Sequence, residues 1–326
     1  MSNATHNFSA NVLEMITSRI LTEALPIIYL MVFIVSTPCN LISLWLLCCH
    51  TKRNNPTIIF AINLSLTDLL YSTFLPFQII YHLRGNDWPF GQVMCRVATA
   101  AFYGNMNCSI LTTCAISLER YCGIVKPLRT KHWMTATNAA IICLLAWIFV
   151  LAVHMPMLSH DLTMKVDSLN ITTCFDILPK SLFPHKALGY MYFGAILVFF
   201  FILPLIVFIL CYSAIIKALR VSTSSDTQRS KRQTMRLIVV VVLCFLACYV
   251  PNIVLQMLHM VYTYKGKSLY VYYKLSLGAN SLNCCFDPFV YYFASKEFRG
   301  KLRQKLGWKS SMSEEPPSSI WSEQAN

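Results

Sequence analysis

Asn283-Cys-Cys-Phe-Asp287-Pro288-Phe-Val-Tyr291 lies inside an apolar stretch of roughly 25 residues, yet it holds an amide, a carboxylate and a proline. An ionised side chain at bilayer depth costs at least about 2.5–3.5 kcal/mol, so it is kept where it faces protein or water and serves a purpose. Proline deletes a backbone hydrogen bond and bends its helix. Six further apolar stretches precede this one, and they carry Asn40, Asp68, Ser109 with the Glu119-Arg120-Tyr121 triplet, Trp147, Pro204 and Pro251 in turn. A chain marked this way is not a passive anchor.

The 326 residues are 56% hydrophobic and only 13% charged, against about 25% charged in a soluble domain. Windows of roughly 20 apolar residues, the length that crosses a bilayer, fall at about 24–49, 57–83, 92–126, 136–158, 187–219, 233–261 and 268–293. The expected fold is an all-α membrane protein, a seven-transmembrane helix bundle with a short amphipathic eighth helix. The parts are an extracellular tail (1–23), the membrane domain (24–295), an interfacial helix (296–308) and a disordered cytoplasmic tail (309–326). In the interfacial segment Phe298, Leu302 and Leu306 recur every four residues opposite a cationic face, the pattern of a helix lying in the headgroup layer. The last residues are rich in Ser and Glu and too polar to build a core.

Orientation follows from loop charge, because Lys and Arg are retained on the cytoplasmic side. Lys52, Arg53, Lys126, Arg129, Lys131, Lys217, Arg220, Arg229, Lys231, Arg232 and the run from Lys296 to Lys309 share one side, which places the N-terminus outside. The sequons at Asn3, Asn7 and Asn170 fall on that outer side as expected glycosylation sites. The net charge of +13 is then a topology signal plus affinity for the anionic inner leaflet, not a nucleic-acid surface. No cleavable leader is visible in the polar first 20 residues, so the first span is expected to act as the targeting signal.

Internal repeats with matching interruptions are absent from the sequence, which weakens a transporter reading. The histidines are scattered rather than clustered with carboxylates, which weakens a metal-dependent membrane enzyme. Of 14 cysteines most fall within spans, where a thiol is a small apolar filler. Cys95 and Cys174 face the outer, oxidising side, and on that ground alone their pairing stays open.

Several separated motifs occur in order over about residues 20–308: Leu64-Ser-Leu-Thr-Asp68, Glu119-Arg120-Tyr121 with Pro127 beyond, Trp147, Pro204 with Tyr212, Phe245-Leu-Ala-Cys-Tyr249-Val-Pro251 and Asp287-Pro288-Phe-Val-Tyr291. Together they resemble the rhodopsin-like G-protein-coupled receptors. Asp287, where most of that family has Asn, and the short inner loop before the sixth span are similar to the metabotropic purinoceptor branch and its lipid-sensing relatives. The resemblance implies a plasma-membrane receptor, not an enzyme, that passes an extracellular small-molecule signal to a heterotrimeric G protein of the Rho-activating or inhibitory class. Arrestin and membrane lipids are further implied partners.

The resemblance also implies a Cys95–Cys174 bridge pinning the long outer loop across the mouth. Asp68, Ser109, Asn283 and Asp287, with Asn105 nearby, match the family's sodium pocket, and an oxygen-only set suits a hard cation; sodium would be an allosteric modulator rather than a cofactor. Glu119, Arg120 and Tyr121 match the inner clamp, while Tyr212, Phe245, Tyr249, Pro251, Pro288 and Tyr291 match its switch and hinges. Lys231 stands where many relatives have a second clamping acid, which implies some basal signalling.

The expected ligand residues are Tyr81, Tyr103, Gln256, His259, Tyr273 and Lys274, with Gln78, Phe102 and Met106 beside them. Arg84, Lys180, His185 and Lys186 would stand at the rim. Nucleotide receptors of the branch carry a His-x-x-Arg/Lys set after the sixth-span proline, but here those positions are Ile253 and Gln256. Their second extracellular disulfide also has no cysteines to form it. The expected ligand is therefore an amphipathic anion, a lysophospholipid or a prenylated glutathione conjugate. A nucleotide agonist, a non-signalling decoy receptor and a membrane transporter are the alternatives.

Overall fold

The computed structural model describes residues 10–51, 55–126, 133–176, 185–221, 235, 238–264, 268–294 and 296–305. Among the described residues, six helical stretches are long and apolar enough to cross a membrane: Leu13–Cys49, Pro56–Leu83, Gly91–Val125, Ala136–Ser159, Ala187–Arg220 and Ile238–His259. The seventh crossing is made in two pieces, Tyr270–Asn280 and Asn283–Ala294, with a turn at Ser281-Leu282 between them. The result is a seven-helix bundle, followed by the short helix Lys296–Lys305. Its outer surface is studded with exposed Ile34, Leu144, Leu145, Leu210 and Leu243, as a bundle solvated by lipid requires.

Local chemistry sets the helix boundaries. Asn55 caps the second span by accepting the Thr57 amide at 3.0 Å, with Pro56 in the first turn, where a missing N–H costs nothing. Thr135 does the same for the fourth span through the Asn138 amide. The fifth and sixth spans each contain one widened π turn, Val198–Ile202 and Phe245–Tyr249. Each comes just before a proline, Pro204 or Pro251, whose ring cannot sit over a regular preceding turn.

The first boundary differs from the sequence expectation. Helix reaches into the stretch read as tail: Ala10–Ile16 and Arg19–Cys49 are both helical, broken only at Thr17-Ser18, so the Leu13–Cys49 stretch is made of two helices. Ile16 is buried, and its carbonyl accepts the Asn86 side-chain amide at 2.6 Å, while His82 bonds the other end of the same amide group. A helix of seven residues is too short to carry a span-length apolar signal. At the other end Phe298 is buried in the inner core and Leu302 packs against it, so the eighth helix is anchored by the stripe read from the sequence. Leu306, Trp308 and the polar tail lie outside the described residues.

Of the core clusters among the described residues, two frame the functional ends of the bundle. The inner one joins Phe60, Ile110, Phe208, Tyr212, Phe245 and Tyr249. The outer one joins Tyr81, Trp88, Tyr103, Met157, Leu162 and the Cys95–Cys174 pair.

Candidate ligand site and switch

The loop between the fourth and fifth spans folds into a β-hairpin, Thr163–Val166 against Ile171–Cys174, with Thr163 opposite Cys174. The sequence reading did not separate this hairpin from ordinary loop; Ile171-Thr-Thr after Asn170 is the β-branched signal it carried. Asn170 is exposed in the turn with φ +50°, a backbone region that Asn tolerates. Three ties hold the hairpin over the bundle. Cys174 is bridged to Cys95 at the start of the third span. The Trp88 amide donates to the Thr172 carbonyl at 2.7 Å, and Asp87 accepts the Thr172 amide at 3.0 Å.

Just beyond the disulfide, Phe175 adopts φ +63°, a strained setting for a bulky residue. The turn sends Asp176 into the bundle, where its side chain is only 3% exposed. There the carboxylate forms an ion pair with the Lys274 ammonium and accepts the Tyr81 hydroxyl. Burial alone would raise the Asp176 carboxyl, but the Lys274 charge and the hydrogen bonds from Lys274 and Tyr81 hold it below the usual carboxylate range. Removing one partner of such a buried pair costs about 3–5 kcal/mol, because the other charge is left uncompensated.

Beside this pair the Tyr103 and Tyr273 hydroxyls meet at 3.0 Å. His259 stacks on Tyr273, and Phe175 sits edge-on to Tyr103. Thus Tyr81, Tyr103, His259, Tyr273 and Lys274 converge from the second, third, sixth and seventh spans. Gln256 is half-buried on the sixth span. Arg84 stands apart: its side chain is 55% exposed and paired with Asp87 at 3.2 Å. Lys180 and the Lys186 side chain lie outside the described residues. Asp176 and Tyr270 were missed, although an acid two residues after a bridged cysteine was a usable signal.

Deeper in the bundle Asp68 accepts the Asn105 amide at 2.9 Å, and Asn283 donates to Asp287 at 3.2 Å, with the two carboxyls adjacent. The Ser109 hydroxyl, one Asp68 oxygen, and the side-chain carbonyls of Asn40 and Asn280 are buried without a hydrogen-bond partner among the described residues. Orphaned buried oxygens of this kind, one of them on Asp68 itself, are hard donors and fit a small hard cation. A void of about 10 Å³, bordered by Tyr71, Asn105, Asn280 and Asn283, adjoins them, room for about one water.

At the inner end Arg120 is held twice, by Glu119 at 3.2 Å and by the Thr57 hydroxyl at 2.5 Å; Thr57 in turn contacts Glu119 at 2.8 Å. Tyr212 is turned inward, 2.6 Å from the Ser117 hydroxyl. Phe245 stacks on Phe201 and meets Phe208 edge-on, with Tyr249 beside it. Tyr121 lies under the Lys126 ammonium. Lys231 and the Tyr291 side chain lie outside the described residues.

This layered arrangement agrees with the sequence comparisons. A family model described as 7 transmembrane receptor (rhodopsin family) matches residues 39–291. The chain belongs to the rhodopsin family of seven-transmembrane receptors. This rhodopsin-family receptor is 41% identical to a purinoceptor 8 of Gallus gallus over 306 residues, 93% of this chain and 85% of that protein. It is 41% identical over 296 residues to the S-geranylgeranyl-glutathione receptor of Homo sapiens, 90% of this chain and 82% of that one. Proteinase-activated receptor 2 of Rattus norvegicus is 37% identical over 303 residues, covering 92% and 75%. Membership of the rhodopsin family makes the chain a multi-pass membrane receptor that answers an extracellular ligand and couples to G proteins.

Proposed function

We propose that this receptor is activated at the cell surface by an extracellular amphiphile of the lysophospholipid or prenyl-glutathione type. The observation that carries the reading is Lys274, a largely buried cation over the Tyr270 ring, whose partner Asp176 also takes the Tyr81 hydroxyl, in a cluster with the linked Tyr103 and Tyr273. Aromatic walls accept a hydrocarbon chain, and a desolvated ammonium receives a carboxylate or phosphate. The similarity to a receptor named for S-geranylgeranyl-glutathione supports the same chemistry. Ile253 and Gln256, in place of basic residues above Pro251, disfavour a nucleotide.

In this reading the N-terminus is extracellular, with Asn3, Asn7 and Asn170 as glycan acceptors. Ligand entry parts the Tyr103–Tyr273 contact and moves the sixth span about its widened turn and Pro251. Sodium leaves the Asp68, Ser109, Asn283 and Asp287 site, Tyr212 and Tyr291 turn toward the inner end, and Pro288 flexes the seventh span. Arg120 then exchanges Glu119 and Thr57 for the C-terminal helix of a Gα subunit of the Rho-activating or inhibitory class. Phosphorylated Ser and Thr of the inner loop and tail would recruit arrestin.

The test is Gα activation in cells expressing the chain, comparing lysophosphatidic acid, S-geranylgeranyl-glutathione and adenine or uracil nucleotides. A response to either amphiphile, lost in Arg120→Ala at equal surface expression, supports the reading. A response to nucleotides alone overturns it, and amphiphile binding without Gα activation indicates a decoy.

A further inference from the structure

Asp176 is the one member of the outer cluster that a simple anion site does not need. It is built in with unusual care: a disulfide two residues back, a left-handed backbone at Phe175, and a hydroxyl from Tyr81 all fix a carboxylate that is almost wholly buried. A ligand that is only anionic would have to take Lys274 from Asp176. It would then leave that carboxylate desolvated, unpaired and close to a second negative charge, and an unpartnered buried charge is strongly disfavoured. A head bearing both signs has no such conflict. Its carboxylate replaces Asp176 on Lys274 while its ammonium replaces Lys274 on Asp176, so each buried charge changes partner and none is left alone. The low position of the Asp176 carboxyl keeps it ionised and ready for a cation throughout the physiological range.

We propose that the Lys274–Asp176 pair reads a zwitterionic, amino-acid-like headgroup, with a free ammonium required as strictly as the carboxylate. This rests on the amphiphile reading above and narrows it. It sets Lys274 and Asp176 as a two-sided specificity element, and it assigns the tail to the aromatic walls. Lysophospholipids whose heads carry phosphate alone would be poor ligands.

Thermal stabilisation of the purified full-length receptor tests this without relying on signalling. Three probes share one tail: S-geranylgeranyl-glutathione, its N-acetyl derivative, and geranylgeranyl monophosphate. The expected result is binding of the first, with the other two at least about tenfold weaker. In Asp176→Asn the order should invert, the parent weakening about tenfold and the monophosphate gaining, because Lys274 is now free of its acid. The probe series on the unmodified receptor stands by itself if the variant does not fold. Equal binding of the parent and its N-acetyl derivative, or tighter binding of the monophosphate, overturns the zwitterion while leaving the amphiphile. Failure of all three probes removes the amphiphile reading and this inference together.

Discussion

The Asn40 side-chain amide donates to the backbone carbonyl of Cys284 at 3.0 Å, and that carbonyl is the one Pro288 leaves without its helical partner. In a regular helix the N–H four residues on would fill it, but proline has none. The first span therefore supplies, from 244 positions away in sequence, the bond that the seventh cannot make for itself. A buried backbone group left unpaired in the bilayer costs about 1–3 kcal/mol. Asn40→Ala is expected to lower the thermal midpoint of the detergent-solubilised receptor accordingly, and an unchanged midpoint would show that water or a neighbouring group fills the gap.

The Lys274–Asp176 pair makes a prediction of its own for stability. Lys274→Ala or Asp176→Ala alone is expected to cost about 3–5 kcal/mol, and the double variant distinctly less than the sum, since neither charge is then stranded. The Asp176 carboxyl is held below its ordinary range, so its contribution is complete above about pH 4, where the unfolded group is already ionised. It is lost only as the pH falls through the lower folded value. Across pH 5–8 the coupling measured by a thermal double-mutant cycle should therefore stay flat; a slope in that window would contradict the assignment.

Thr57 touches both Glu119 and Arg120, so it closes the inner clamp from the second span. Thr57→Val keeps the shape and removes the hydroxyl, worth about 0.5–1.5 kcal/mol. Basal Gα activation should rise by about two- to tenfold in this variant and further in Glu119→Gln, read as ligand-free nucleotide exchange at matched expression. No rise in either would place the resting restraint elsewhere.

If a sodium ion occupies the oxygens around Asp68, raising sodium in place of a bulky organic cation should weaken agonist binding to the unmodified receptor. Asp68→Asn keeps the Asn105 neighbourhood but removes the charge, and should erase that sensitivity. Persistence of the effect in Asp68→Asn would rule out this site.

The spans and the inner clamp were legible because the bilayer imposes a long apolar period and makes each polar exception conspicuous. Asp68, Arg120, Pro204 and Pro288 stand out from apolar surroundings on sight. The outer site was only half legible. Tyr81, Tyr103, His259, Tyr273 and Lys274 were named through the family resemblance, and the structure brings them together at the outer end. Asp176 read as one acid among several in a polar loop, and what sinks it into the bundle is a hairpin, a disulfide and one left-handed residue. None of these has a period. Arg84 differs from those five residues in being exposed, with nearby Asp87 as its partner in the turn. The Ala10–Ile16 helix lacks any length signal, and its end is tied by Asn86, remote from it in sequence and held in turn by His82.

Phe201 lies within the widened turn of the fifth span and stacks face to face on Phe245, which opens the widened turn of the sixth. Each such turn holds one surplus residue, and a helix advances about 100° per residue. Tightening either turn to regular pitch would swivel everything below it by a quarter revolution without breaking the helix. The two spans thus store their slack at the same height and against the same pair of rings, like two threaded rods sharing one locknut.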